Sequence, residues 1–381
     1  MPPAQLVIAV AVFLVCGVVN LQIPALEIYA VDAEVGNGVA ATVLAAYPAV
    51  LILVLSTLGG VSDRIGRRPA LLLGIAGAVL ATGCTVLWPS LLGLGLARGL
   101  QGVGVGLTLG AATAWLASVG GEDGPRRAAA TTALTSAAGF GLGPLVTHAA
   151  LELGADARRP TSYLVMMALL LVTAAALAAL PSPPREARDG AERLRVARLP
   201  AFPRGSGVAA LSIVVGWSLA GTVVAVVPRA LASIGAPTLA GPAVFALIGA
   251  GLLAQPFARR LSSRRALLVG AALLPIGAAV LAAGVTLGEP ALALLGVGVG
   301  GASTHGFGYL GGLALVTRDA ETRARAVSGY FLMAYVGFSL PAMTVGLLAD
   351  QLGMSWAFGA LAVALTLGAL GLAALTRRSL R

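Results

Sequence analysis

The stretch Gly59-Gly60-Val61-Ser62-Asp63-Arg64-Ile65-Gly66-Arg67-Arg68 lies between two apolar runs, roughly 37–58 and 69–87. Each run is long enough to cross a bilayer, which takes about 20 apolar residues. The charged decapeptide is therefore a short loop joining two membrane spans. Gly59 and Gly66 permit a tight turn and close approach of helices. Asp63 is an anion beside helix ends, where a helix N-terminus offers partial positive charge. Arg64, Arg67 and Arg68 can pair with acids or with lipid headgroups.

The rest of the chain has the same character. Hydrophobic residues make up 58% and charged residues 10%, against about 25% charged in a soluble domain. Too few polar groups exist to cover a soluble globule. The 51 glycines fit a bundle in which small residues let helix backbones approach, because lipid supplies no hydrophobic drive for association. The net charge of +10 comes with 25 basic residues, all arginine. They are scattered through short loops, as membrane topology requires, so nucleic acid is not an expected partner. Cys16 and Cys84 fall inside apolar spans and read as small apolar residues, with no disulfide. The two histidines are far apart, and no cluster of His, Asp, Glu or Cys has metal or nucleophile spacing. No metal, cofactor or enzymatic activity is expected. Met1 to Gln5 carry no basic residue, so the first span reads as a retained helix and not a cleaved signal.

Twelve apolar spans are predicted, at about 5–29, 37–58, 69–87, 90–118, 128–151, 161–180, 207–231, 240–258, 266–287, 290–316, 325–349 and 354–375. Between spans six and seven lies a stretch rich in Pro, Arg and acids. It divides the chain into residues 1–181, a linker 182–206 and residues 207–381. Alternate loops, starting from the decapeptide, hold with the C-terminal tail 21 arginines; the other side holds Arg158, Arg159 and Arg229. That bias places both termini and the linker in the cytoplasm, in a multi-pass protein of the cell (inner) membrane. The halves echo each other at an offset of 197 residues: Arg67-Arg68 with Arg264-Arg265, Gly104 with Gly301, Arg126 with Arg323, Pro144 with Pro341.

The decapeptide fills every fixed position of Gly-x-x-x-Asp-Arg-x-Gly-Arg-Arg, and so resembles the loop signature of the major facilitator superfamily. The resemblance covers the whole length. It implies an all-α membrane protein, with twelve transmembrane helices in two six-helix bundles related by pseudo-two-fold symmetry. It further implies a substrate site between the bundles and alternating access by rocking. In that family the loop ties the halves together in one transport state, a conformational lock resting here on Asp63. The corresponding position of the second half is Arg260.

Two further segments carry the resemblance. Leu94-x-x-x-Arg98-x-x-Gln101-Gly102-x-Gly104 resembles the signature of helix four, linked in the family to proton coupling. Arg98 lies within a span, where an unpaired arginine costs roughly 2.5 kcal/mol or more. Arg98, Gln101 and Thr108 share one helix face, turned to the cavity or to another helix; snorkelling of Arg98 to the outer surface is the alternative. Gly139-x-x-x-Gly143-Pro144 predicts a kink in helix five. It resembles in part the third signature, associated with proton-coupled exporters, but Thr147-His148 stand where Gly-Gly is expected.

Proton coupling needs a titratable group in the membrane. Asn20 stands where many family exporters carry an acid in helix one. Glu27 lies later in that span, as a coupling group or a solvated acid. His305, near the middle of span ten, is a proton relay or a packing residue, with Tyr309 one turn on along the same face. Trp217, Tyr309, Tyr335 and Asn20 are candidates to line a substrate cavity. The resulting expectation is a monomeric proton/drug antiporter that exports small neutral or lipophilic compounds, in the manner of multidrug resistance efflux pumps. A metabolite importer or uniporter is the alternative.

Overall fold

The computed structural model describes residues 3–57, 61–119, 124–181, 202, 206–317 and 323–379, with the backbone alone at 63, 323 and 324. Every regular element among them is helical. In hydrocarbon this is the expected solution, because a helix satisfies its own backbone groups where water cannot. Among the described residues, eleven helices are long and apolar enough to cross a membrane. The tenth expected span is not among them; its α-helix gives way to a π-helix at Ala302 and resumes at Tyr309.

The first half contains α1 (Pro3–Asn20), a 3-10 turn (Ile23–Ala25), α2 (Leu26–Asp32), α3 (Asn37–Thr57), α4 (Val61–Ile65), α5 (Arg67–Leu87), α6 (Leu91–Ser118), α7 (Gly124–Glu152) and α8 (Thr161–Ala179). The second contains α9 (Gly207–Ala225), α10 (Val227–Ser233), α11 (Ala240–Ala258), α12 (Ser263–Leu287), α13 (Pro290–Gly301), a π-helix (Ala302–Gly308), α14 (Tyr309–Val316), α15 (Arg323–Leu352) and α16 (Met354–Ser379). The chain folds as two compact units. One comprises residues 1–22 and 45–199, the other 23–44 and 200–381. The expected linker 182–206 lies outside the described residues, except 202 and 206.

The two units use the same helix partnerships. In the first, α5 packs on α6, α1 on α7 and α5 on α8; in the second, α12 packs on α13, α9 on α15 and α12 on α16. These pairs correspond at the offset of 197 residues read from the sequence. Glycine makes the contacts close. A Cβ at Gly104 would lie 2.9 Å from the Gly74 carbonyl oxygen, and one at Gly277 would lie 2.5 Å from the Gly300 nitrogen.

Three spans that the hydropathy pattern presents as continuous are interrupted. Span one breaks after Asn20, ahead of Pro24, which has no N–H to continue the helix. Span seven breaks between Ala225 and Val227, with Pro228 in the first turn of α10. Span ten passes through the π-helix at Ala302–Gly308. There, side chains from neighbouring helices take up carbonyl groups: Ser212 Oγ donates to Gly308 O at 3.0 Å, and Gln255 Nε2 to His305 O at 3.3 Å. Ser303 of the π-helix donates to Gly270 O at 2.7 Å. Irregular backbone inside a membrane is tolerated where such partners exist.

Candidate functional site

In the first unit, polar side chains gather at the end of α1. Arg98 of α6 is 2% exposed and Gln101 is 1% exposed, so Arg98 does not snorkel to the surface. Its Nη1 donates to Val19 O at 2.5 Å and to Gln101 Oε1 at 3.3 Å. Gln101 Nε2 donates to Val18 O at 3.0 Å. The Tyr47 ring lies 5.8 Å from the guanidinium carbon, within reach of a cation–π contact. Both side chains project from one face of α6 onto α1, as their spacing of three predicts.

Asn20 belongs to the same region but serves another helix. Its Nδ2 donates to Phe140 O at 3.0 Å. Phe140 precedes Pro144 by four residues, so its carbonyl is the one left without a helical partner by the proline. The amide of Asn20 thus takes up the acceptor that the proline leaves open. Gly139 and Gly143 bring the two helices together: a Cβ on Gly143 would meet Gly17 O, and one on Gly139 would lie 3.1 Å from Gly17 N. The predicted kink residues therefore form the seam between α1 and α7.

Gly59 of the signature loop lies outside the described residues, as does the side chain of Asp63, whose backbone is in α4. Gly66 caps α5 with φ of +98°, a conformation that favours glycine. Arg64 is exposed and Arg67 half-buried. Arg68 reaches the end of α8. It donates to Leu180 O at 3.1 Å and also to Ala178 O. A guanidinium on the last carbonyls of a helix is favoured by both hydrogen bonding and the helix dipole.

In the second unit, His305 sits in the π-helix, with Nδ1 2.9 Å from Thr304 Oγ1. Its ring stacks on Trp217 at 5.9 Å between centroids, and Tyr335 and Phe338 meet Trp217 edge-on at 5.4 and 6.3 Å. Tyr309 does not share this group. It contacts Tyr330 and Phe331 at 6.3 and 6.2 Å. The expectation of one face for His305 and Tyr309 assumes 3.6 residues per turn, and the wider π turn rotates Tyr309 away.

Glu27 forms an ion pair with Arg229 at 2.7 Å, and Arg229 Nη1 also donates to Val35 O at 3.0 Å. Beside it, Asp350 receives Asn37 N and Nδ2, each at 2.7 Å, and Gly38 N at 2.9 Å. Its carboxylate caps the start of α3. Both clusters lie within the second unit, to which residues 23–44 belong. Sequence reasoning missed Arg229, Asp350 and Asn37. Arg229 reads as a loop arginine, and Asp350 falls just past the predicted end of its span. Gly36, Gly38 and Gly346 were the available signal: a Cβ on Gly36 would overlap the Asp350 carboxylate, and one on Gly346 would lie 2.8 Å from Asn37 O.

The family model described as Major Facilitator Superfamily matches residues 8–320. No curated protein sequence matches the chain. Among solved structures, the inward-open xylose transporter XylE from E. coli aligns over 97% of this chain and 94% of its own, with 16% identity and a TM-score of 0.73. A mutant of the nucleoside transporter NupG aligns over 98% and 99%, with 15% identity and a TM-score of 0.76. A POT family transporter in complex with 5-aminolevulinic acid aligns over 99% and 96%, with 12% identity and a TM-score of 0.77. At these identities the likeness is one of fold.

Proposed function

Because the chain belongs to the Major Facilitator Superfamily, we propose that it exports a small neutral or lipophilic organic compound in exchange for protons, by alternating access. One observation carries the choice of substrate. Three buried polar side chains of the first unit are engaged with the protein's own backbone: Asn20 with Phe140, Arg98 with Val19, Gln101 with Val18. A sugar needs many free hydrogen-bonding groups. The aromatic group of Trp217, His305 and Tyr335 favours apolar and stacking contacts instead.

In this reading Asp63, with Arg64, Arg67 and Arg68, stabilises one transport state, and Arg98, Gln101, Glu27 and His305 couple proton movement to the cycle. The Glu27–Arg229 pair supports the inclusion of Glu27, because neutralising one partner weakens the contact. The protein works as a monomer in the cell inner membrane, with both termini cytoplasmic.

The test is flux in proteoliposomes with an imposed proton gradient, across a panel of lipophilic cations, neutral aromatics, sugars and nucleosides. Gradient-driven movement of a lipophilic compound against the proton flow is expected. Co-transport of a polar metabolite with protons would overturn the efflux reading. It would support the second reading, a metabolite importer or uniporter. Thr147-His148 in place of the exporter glycines favours that alternative, and XylE and NupG, of similar fold, carry xylose and nucleosides. Transport by inside-out and right-side-out vesicles separates the two directions.

A further inference from the structure

The last carbonyls of a helix have no N–H partner within it, and inside a membrane no water replaces one. Helix α1 ends at Asn20, so the carbonyls of Val18 and Val19 are among these orphans. Both are taken up by side chains. Arg98 donates to Val19 O and Gln101 to Val18 O. With its amide turned to face donors with an acceptor, Gln22 also donates to Val18 O at 3.1 Å and Val19 O at 3.2 Å, and accepts from Gln101 Nε2 at 2.8 Å. Gln22 is 1% exposed.

Among the described residues Arg98 has no carboxylate partner. Its charge is offset instead by the carbonyl end of α1, which carries the negative end of the helix dipole, and by the Tyr47 ring. The capped end is also where the chain passes from one compact unit to the other, between Gln22 and Ile23. The segment that follows carries Glu27 to Arg229.

We propose that Arg98, Gln101 and Gln22 form a side-chain cap on the open end of α1, fixing the point at which span one breaks. Arg98 is thus a positioning residue that acts through the backbone of span one; it neither carries the proton nor holds the substrate. The proposal deepens the coupling role given to Arg98 and Gln101 above and rests on that reading for its flux arm only. It accounts for the residue types. A guanidinium supplies donors and a charge matched to a helix C-terminus, while two amides supply the remaining donors without adding charge.

The test uses the full-length protein with Cys16→Ala, Cys84→Ala and a single reporter, Leu21→Cys, at a position 0% exposed. Labelling by a membrane-permeant maleimide is slow while the cap holds. Arg98→Ala should speed it about tenfold, the equivalent of one buried hydrogen bond lost. Adding Pro24→Ala lets span one continue as a helix and pair these carbonyls internally, so labelling should return towards the starting rate. Arg98→Lys should give an intermediate rate. If Arg98→Ala does not accumulate, Gln101→Leu and Gln22→Leu report the same effect. Unchanged labelling, or acceleration that Pro24→Ala does not reverse, would overturn the proposal.

The labelling arm needs no substrate, so it stands or falls apart from the efflux reading. In the flux arm, Arg98→Ala should lower turnover without moving the pH profile, and Pro24→Ala should restore part of it. A displaced pH profile would instead assign Arg98 to proton transfer.

Discussion

At the scale of single residues, Asn20, Arg98 and Gln101 answer to open backbone carbonyls. Asn20 completes the Phe140 carbonyl that Pro144 leaves open. Asn20→Leu should therefore destabilise the protein by about 1 kcal/mol, the size of a membrane-buried hydrogen bond. The measurement is thermal unfolding in detergent. In a Pro144→Ala background, where α7 can pair that carbonyl itself, the loss should be smaller; an equal loss would reject the link to the proline. Gly143 is argued from space and not from hydrogen bonding. A methyl there meets Gly17 O, so Gly143→Ala should separate α1 from α7. A Tm reduced by several degrees, with Gly110→Ala as a control in open space, is the expected result.

At the scale of elements, helix ends carry the specific chemistry. Asp350 caps the start of α3 through two backbone N–H groups. Removing an N-cap costs about 1 kcal/mol. Asp350→Ala should thus speed hydrogen exchange at the amides of Asn37 and Gly38, while Asp350→Asn, which keeps an acceptor, should do so less. Equal exchange in all three proteins would mean that the carboxylate does not hold this end. The π-helix is the other element with consequences. It brings the ring of His305 onto Trp217 and gives the His305 carbonyl to Gln255. If His305 relays protons, His305→Ala should displace the pH profile of transport, whereas an unmoved profile would leave it a packing residue beside Trp217.

At the scale of the whole molecule, two units of matching helix partnership share one chain, and the signature loop is proposed to stabilise one state of their cycle. Asp63→Asn should leave the protein in the membrane at normal abundance while slowing turnover several-fold, measured as flux per transporter in proteoliposomes. Unchanged flux would remove Asp63 from the mechanism. The fold class was legible without coordinates, because spans of about 20 apolar residues in hydrocarbon must be helical. The repeat was legible too, since glycine, proline and arginine recur where each half needs close packing, kinks and loop charges. Arg98, Gln101 and the Gly139–Pro144 segment could be singled out because a polar or helix-breaking residue inside an apolar run stands out by itself. Their partners could not be read. Val18 and Val19 offer only backbone carbonyls, which leave no mark in a sequence. Asn37 and Asp350 lie far apart in the chain, at an offset of 313, and hydropathy has no term for a contact at that range. The breaks in spans one and seven and the π turn in span ten also lay below its resolution: apolar residues continue through them, and only neighbouring helices supply the donors that make an irregular backbone tolerable. Composition and periodicity thus determined that the chain crosses the membrane as paired helices. Packing alone decided which polar groups meet, because a buried donor goes to whichever acceptor the fold leaves open.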